Sequence, residues 1–237
     1  MTQCQTDLHV HTVASGHAYS TVEEIAREAA RRQLRLVGLT DHGPGLPGGP
    51  HLYHFRALRF IPPVLHGVRL LRGVEANITA PGELDLPQDV LDTLDLVLAG
   101  FHEGCGFDAR GEKANTAAVL RLMERPEVKV IVHPGNPNFP LDYPALVRQA
   151  AATGTAMEIN NSSFTLSRHG SEGNCHTIAR LCARLGAPVA LGSDAHIAQG
   201  VGEFEAALEA LRQAELPADQ VVNRTLESTL AFLGLAE

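Results

Sequence analysis

Short apolar segments alternate with longer amphipathic segments along the whole 237-residue chain. The alternation repeats at intervals of about 30 residues, and each apolar segment has the length of a buried strand. The predicted strands lie at 6–11, 35–42, 69–77, 94–102, 128–136, 155–163 and 188–196. Strands that alternate with helices form a parallel sheet with helical crossovers. A chain of this length is expected to form one domain over 1–237.

The amphipathic segments predict the helices that connect these strands. Ser20 is the expected N-cap of the first helix, because Glu23 three residues later completes a capping-box pattern. A helical stretch is predicted within 53–66, after a loop rich in glycine and proline at 43–50. Further helices are predicted near 112–125, 142–153, 171–186, 203–215 and 225–234.

Polar residues stand at the carboxyl end of every predicted strand. They are His9, His11, Asp41, His42, Glu75, His102, His133, Asn160, Asn161, Asp194 and His196. In a closed barrel these ends converge on one mouth. In an open doubly wound sheet they spread along an edge, and only those near the switch point meet. Because all seven strands contribute, the pattern favours an α/β barrel over an open sheet.

The histidines and carboxylates of this set are typical metal ligands. Residues i and i+2 of a strand point to the same face, so His9 and His11 can both face the centre of a barrel. Neutral imidazole is a common ligand of transition metals, and carboxylates can bridge two ions. The candidate ligands are His9, His11, His17, His42, Glu75, His102, His133, Asp194 and His196. Nine ligands exceed the needs of one tetrahedral zinc, so two or three metals fit better.

The ligands occur in an ordered series of motifs: DLHVHT, TDHG, GVEAN, AGFHE, HPGNP, EINNSS and GSDAH. The series runs from about residue 7 to residue 196 and resembles the PHP (polymerase and histidinol phosphatase) superfamily. It is most similar to the small stand-alone bacterial phosphatases of that superfamily. The resemblance implies a distorted (β/α)7 TIM-like barrel with its site at the C-terminal ends of the strands. It also implies three divalent metal ions, usually Zn²⁺, with Mn²⁺ or Fe²⁺ as alternatives.

The resemblance further implies how the ligands are divided among the ions. The first ion would be held by His9, His11, Glu75 and Asp194. Glu75 would bridge to the second, which His102 and His133 complete, and the third would be held by His17, His42 and His196. The implied activity is hydrolysis of a small phosphomonoester. Glu75 and Asp194 would act as metal ligands that activate a bridging hydroxide for in-line attack on phosphorus.

Residues outside the ligand set also have predicted roles. Arg168, in SRHGS after the sixth predicted strand, is a candidate to bind the substrate phosphate. Asp41 faces away from His42 on a regular strand and is a candidate to orient a ligand imidazole. The loops expected to set the substrate are those at 43–54, 103–112 and 162–173.

Alternative functions use the same residues. A phosphodiesterase or nuclease of the same superfamily would apply the same chemistry to a diester, and histidinol phosphate is a substrate of other members. A metal-dependent amidohydrolase also has H-x-H on its first strand, but neither Lys113 nor Lys129 is well placed to be its bridging lysine. A non-catalytic metal-binding module is disfavoured, because structural zinc usually has four closed ligands.

Composition restricts the partners and the location. The net charge of −8 and the pI of about 5.8 argue against a nucleic-acid partner, which requires a positive field. No apolar run approaches the ~20 residues that span a bilayer, so a membrane partner is not expected. Four cysteines without a C-x-x-C pair are expected in the core, and they favour the reducing cytosol. The expected partner is a small phosphorylated metabolite, and a homo-oligomer is left open.

Overall fold

The predicted strands form a nearly closed parallel barrel in the computed structural model, which describes residues 4–107 and 110–236. The strands are β1 (Thr6–Val10), β2 (Leu36–Leu39), β3 (Val64–Leu65), β4 (Val68–Ala80), β5 (Glu83–Leu84), β6 (Leu96–Gly100), β7 (Val128–Ile131), β8 (Ala156–Asn160) and β9 (Val189–Gly192). Parallel neighbours follow the order β1-β2-β4-β6-β7-β8-β9. The two-residue strands β3 and β5 pair antiparallel with β4.

Backbone hydrogen bonds beyond the ends of β1 and β9 close the barrel. The amide N–H of His11 donates to the carbonyl oxygen of Ala195 at 3.0 Å. The amide N–H of Asp194 donates to the carbonyl oxygen of His9 at 2.9 Å. The first and last strands therefore meet, and the prediction of a seven-stranded TIM-like barrel is confirmed.

Helices cover the outside of the barrel. They are α1 (Val22–Arg31), α2 (Leu52–Ala57), α3 (Gln88–Leu91), α4 (Glu112–Leu122), α5 (Tyr143–Thr153), α6 (Ser162–Thr165), α7 (Glu172–Leu185), α8 (Glu205–Gln213) and α9 (Leu226–Leu233). Short 3₁₀ turns lie at Val13–Ser15, Leu58–Phe60, Ala198–Gly200 and Ala218–Gln220. Within the described residues, no helix has the length and apolar character needed to cross a membrane.

The first helix begins one residue later than the sequence predicts. Thr21, not Ser20, is the N-cap, and its capping box is completed by Glu24 rather than Glu23. Ser20 is buried, and its hydroxyl accepts the amide N–H of Ala198 at 2.9 Å. The two candidate caps are adjacent hydroxyl residues with adjacent glutamates, so only this long-range contact distinguishes them.

The helix predicted within 53–66 is much shorter in the structure. It ends at Ala57, followed by the 3₁₀ turn Leu58–Phe60. Pro62 and Pro63 follow directly, and proline supplies no backbone N–H and clashes with the preceding helical turn. The chain then forms β3, so the helical stretch predicted within 53–66 is confined to the first half of that range.

Two apolar cores lie on the two faces of the barrel sheet. Val74 and Ala76 of β4 pack outward against the helices, whereas Leu71 of the same strand packs inside. The inner core is closed at the amino ends of the strands by α9, whose Leu230 and Leu233 join it. Alternate residues of β4 therefore face inward. Glu75, four residues after Leu71, also faces inward and lies nearer the carboxyl end of the strand, away from α9.

The four cysteines belong to these buried regions, as predicted. Cys4, Cys105, Cys175 and Cys182 are all free and buried. Burial raises the pKa of each thiol to about 12. Since the thiolate is the reactive form, these residues serve as small core side chains rather than as ligands or nucleophiles.

Gly192 leaves room for a buried polar contact inside the barrel. A methyl group at this position would overlap the Glu158 carboxylate and come within 3.0 Å of the His9 Cβ. Both of those side chains are buried. A larger residue at the end of β9 would therefore displace the contact between β1 and β8.

We expect Gly192→Ala to lower the free energy of unfolding by about 1–3 kcal/mol, because overpacking forces neighbouring side chains to move. Gly173→Ala is the matched control, since a methyl group there meets no atom within 4 Å and Gly173 lies in α7. The control is expected to be neutral or stabilising by up to about 1 kcal/mol. Urea unfolding measures both changes, and equal free energies for the two variants would contradict the steric argument.

Candidate metal centre

The nine candidate ligands converge at the carboxyl ends of the barrel strands. Each has a ligand atom within 3.6 Å of a ligand atom of another member. The set is His9, His11, His17, His42, Glu75, His102, His133, Asp194 and His196. Most of them are buried, whereas His102 and His196 are half-buried and His17 is exposed. The cluster thus reaches from inside the barrel to its surface.

Two of these residues have left-handed backbone conformations, and in His133 this conformation turns the side chain inward. His133 has φ 33° and Asp194 has φ 56°. Val132 already faces the inner core, so on a regular strand His133 would face outward. The positive φ redirects it, and Gly100 opposite leaves space, because a methyl group there would lie 2.9 Å from His133 Cε1. Such conformations are disfavoured for residues other than glycine and cluster at functional sites.

Glu75 lies at the centre of the cluster. Oε1 lies 3.0 Å from His102 Nε2 and 2.6 Å from His133 Nε2. Oε2 lies 2.8 Å from His42 Nδ1, 3.4 Å from His9 Nε2 and 3.4 Å from His11 Nε2. Burial alone would raise the pKa of Glu75, but the imidazoles of His42, His102 and His9 hold that pKa well below its usual range. Glu75 is therefore a buried carboxylate surrounded by five histidines.

Asp194 forms the second carboxylate of the cluster. Its Oδ1 lies 3.2 Å from His11 Nε2 and 3.6 Å from His9 Nε2. Its Oδ2 accepts hydrogen bonds from Arg168 Nη2 at 2.9 Å and from Asn160 Nδ2 at 3.2 Å. Burial opposes ionisation, yet Arg168 and His9 keep the pKa of Asp194 well below its usual range. One oxygen is thus held by the protein while the other faces the histidines.

His17 and His196 bring two ring nitrogens together at the surface end of the cluster. His17 Nδ1 donates to the carbonyl oxygen of Ser15 at 3.0 Å, and His196 Nδ1 donates to that of Asp194 at 2.9 Å. In neutral rings the two Nε2 atoms, 3.1 Å apart, then present lone pairs to each other. Burial and the nearby His42 lower the pKa of His17, so protonation is disfavoured there. A metal ion placed between them would satisfy both nitrogens.

Buried atoms without hydrogen-bond partners fit the same interpretation. Glu75 Oε2, Asp194 Oδ1 and His42 Nδ1 make no hydrogen bond within the described part of the chain, although Glu75 Oε2 and His42 Nδ1 lie 2.8 Å apart. Buried polar atoms are normally satisfied, and an ion would satisfy these three. Three sets have ligand atoms within 4.8 Å of one another: His9–His11–Glu75, His42–Glu75–His102 and His11–His42–His196. The sets share members, so spacing alone does not divide the nine among separate ions.

Glu158 is a buried carboxylate that the sequence analysis missed. Its Oε1 accepts His9 Nδ1–H at 2.7 Å. Its Oε2 accepts the amide N–H of His133 at 2.6 Å and Asn160 Nδ2–H at 3.1 Å. A carboxylate on Nδ1 directs the Nε2 lone pair of His9 toward Glu75 and Asp194. The signal was the period-two pattern of β8, which places Ala156, Glu158 and Asn160 on the inner face.

Asp41 acts on the cluster through a serine. Its carboxylate accepts Ser15 Oγ–H at 2.6 Å, and Ser15 Oγ lies 3.2 Å from His11 Nδ1. The amide and hydroxyl of Thr12 and the ring of His54 also contact Asp41. Burial alone would raise the pKa of Asp41, but these contacts together lower it to about 2. The carboxylate is thus positioned to fix the orientation of the His11 ring.

Arg168 follows α6 and lines a cavity that the candidate ligands also line. Besides Asp194, its guanidinium contacts Ser167 Oγ at 2.7 Å. The cavity has a volume of about 900 Å³, and His17, His42 and His102 also line it. Asn161 lines it too, but its side-chain oxygen accepts the amide N–H of Ala207 and so supports α8. The predicted substrate loops also contribute to the lining, except that residues 108–109 lie outside the described part of the chain.

The amino-terminal half of the chain matches a known family. The family model of the PHP domain matches residues 7–133. A relative from Syntrophotalea carbinolica, described as a probable phosphatase, is 60% identical over 233 residues, which cover 98% of this chain and 97% of the relative. The chain belongs to the PHP domain family. The resemblance seen in the motifs is confirmed.

A second relative supports the family, and a solved structure supports the fold. A protein from Acetivibrio thermocellus, also described as a probable phosphatase, is 47% identical over 93% of this chain and 91% of its own length. The histidinol phosphate phosphatase of Lactococcus lactis was crystallised with zinc, L-histidinol and phosphate. It matches with a TM-score of 0.65 and 17% identity, over 91% of this chain and 95% of that one. At that identity the likeness shows the barrel alone.

We expect Glu158→Gln to weaken zinc binding by about 10–100-fold, as loss of a partner that orients a ligand usually does. A glutamine has one carbonyl oxygen and cannot accept from both His9 Nδ1–H and the amide of His133. Isothermal titration with zinc measures the affinity. Glu124→Gln, the same change at an exposed glutamate, is the control. Equal affinities in the two variants would show that Glu158 does not orient the cluster.

Proposed function

We propose that this PHP chain is a metal-dependent phosphatase that hydrolyses a small phosphomonoester with three divalent ions, preferably zinc. The observation that carries the proposal is Glu75, a buried carboxylate with an unsatisfied oxygen among five imidazoles at the mouth of the barrel. The description of two close relatives as probable phosphatases supports the reaction class. The zinc and phosphate in the Lactococcus lactis enzyme are consistent with the ligands proposed here.

The proposal divides the nine ligands among three positions. One ion would be held by His9, His11, Glu75 and Asp194, a second by Glu75, His102 and His133, and a third by His17, His42 and His196. When bound, such ions polarise phosphoryl oxygens and lower the pKa of water. The lone pairs of His17 and His196, which face each other, support the third position. The convergence of His102, His133 and Glu75 Oε1 within 3.2 Å supports the second.

The chain's own residues would bind and orient the phosphate. Arg168 is anchored through Asp194 and Ser167 and lines the cavity beside His102 and His196. Its guanidinium has five N–H donors, and the two hydrogen bonds described leave others for a phosphate oxygen. Asn160 donates to Asp194 and keeps that carboxylate aligned with the arginine. The proposal includes a cytosolic location, for which the four free thiols are the supporting observation.

Removal of divalent metal is expected to abolish phosphate release, and addition of zinc or manganese to restore it. Glu75→Gln should lower bound metal and activity together, by more than about 100-fold, because even the loss of a ligand's outer partner costs 10–100-fold. Metal analysis and a phosphate-release assay on a panel of metabolites measure both quantities. Full activity of the metal-free protein, or of Glu75→Gln at full metal loading, would refute the proposed chemistry.

Arg168→Gln is expected to lower kcat/KM by about 10–100-fold through a higher KM, since a hydrogen bond to a charged group contributes about 1.5–3 kcal/mol. Bound metal should stay unchanged. Arg180→Gln, which removes an exposed arginine on α7, is the control. If Arg168→Gln instead loses metal and activity in parallel, Arg168 supports Asp194 and does not bind phosphate.

A further inference from the structure

The cavity that contains the candidate ligands also has an apolar wall. Leu46, Leu166 and Ile197 line it together with His17, His102 and Asp194. The three apolar residues come from three separate segments, the loop after β2, the loop after α6 and the loop after β9. Three loops of a barrel mouth thus present branched aliphatic side chains to one space beside the charged cluster.

Leu166 is the most exposed of these side chains. It is 93% exposed, and Ile197 is 49% exposed. The position of Leu166 is nevertheless well defined, because its amide N–H donates to the carbonyl oxygen of Ser162 at 2.9 Å, as does that of Ser167. A single exposed leucine needs no explanation, but apolar side chains gathered in a cavity indicate a ligand that buries them.

The charges around this wall disfavour a second anionic group. Glu103 and Glu203 line the cavity, and Arg168 is its one arginine or lysine within the described residues. Arg168 is engaged by Asp194. Glu203 pairs with Arg32 at 2.7 Å, and Glu103 accepts Asn138 Nδ2–H at 2.8 Å. A carboxylate or second phosphate against the apolar wall would lie near these two glutamates, and Arg168 is already assigned to the reacting phosphate.

We propose that Leu46, Leu166 and Ile197 form a leaving-group subsite, and that the substrate is a monophosphate ester of an alcohol with an apolar, non-anionic body. This inference rests on the proposed phosphatase function and adds the class of alcohol. Polyhydroxy alcohols such as sugars would place hydroxyl groups against these three aliphatic side chains, and a hydroxyl buried without a hydrogen bond lowers affinity. Alkyl and aromatic alcohols bury the three side chains and gain from the contact.

The test compares esters with the same leaving oxygen and different bodies. Hexyl phosphate and glucose 6-phosphate both release a six-carbon primary alcohol, and 6-phosphooxyhexanoate adds one carboxylate to the alkyl chain. The metal-loaded full-length protein is expected to show a higher kcat/KM for hexyl phosphate than for either of the others. The ratio between hexyl phosphate and glucose 6-phosphate is the measured quantity.

Variants assign the preference to the apolar wall. Leu166→Asn keeps the side-chain size but not its apolarity, and is expected to lower the ratio by about tenfold, the low end for an altered apolar contact. Leu166→Met should keep the ratio near the wild-type value. Val64→Thr is the control, because Val64 is 54% exposed and lies outside the cavity. Size-exclusion chromatography of each variant reports its oligomeric state.

The outcomes separate the inference from the proposed function. Phosphate release with equal kcat/KM for the three esters, or with a ratio unchanged in Leu166→Asn, overturns the subsite and leaves the phosphatase function standing. A change of oligomeric state in Leu166→Asn with equal effects on all esters assigns the leucine to an interface between copies and also overturns it. No phosphate release from any ester in the metal-loaded protein refutes the function itself.

Discussion

The site depends on a carboxylate that is buried among histidines, Glu75. A buried charge without compensation costs several kcal/mol, so the surrounding structure must hold its partners in place. The backbone meets this demand directly, since the amide of Glu75 donates to Asp41 and its carbonyl accepts from Gly43. Its strand β4 pairs with β2, β3, β5 and β6, which makes it the most extensively paired strand of the barrel. The central candidate ligand therefore stands on the most extensively paired strand.

The carboxylates and the cations of the site are out of balance without bound ions. Glu75, Glu158 and Asp194 place three buried carboxylates around His9, and Arg168 contributes one permanent cation. The same carboxylates raise the pKa of His9 well above its usual value, against the effect of burial. The cluster therefore attracts positive charge, and the protein alone would repel a phosphate dianion. In the proposed function the affinity for phosphate comes from the ions that the carboxylates recruit.

Much of the fold and of the ligand set could be predicted from local patterns. Period-two alternation depends only on strand geometry. It therefore predicts that His9 and His11 share one face of β1 and that Glu75 faces the inside of the barrel from β4. The N-cap of α1 could not be predicted, because it depends on a contact between Ser20 and Ala198, which are distant in sequence. Nor could the inward turn of His133, because its left-handed backbone breaks the alternation on which the prediction rests.

The separate roles of the residues in the site could not be predicted from the sequence either. Glu158 begins the EINNSS motif, but its role is recognised only from its contacts with His9 and His133. The assignment of ligands to separate ions also has no local signal, because His11, His42 and Glu75 each lie within reach of more than one set. Spacing along the chain identifies the candidate ligands, but only a three-dimensional structure can show which ion each shared ligand would hold.

The seam between β1 and β9 has a consequence for the order in which the protein is assembled. His9 and His11 are made before the residues that close the barrel beside them, Asp194 and Ala195, which follow the last strand of the barrel. During synthesis β1 cannot pair with the segment after β9 until that segment has been made. Contacts between residues so distant in sequence form slowly. The complete cluster can exist only in a chain that has closed its barrel. Occupation by metal would therefore mark the end of folding and stabilise the closed state over every partly built one.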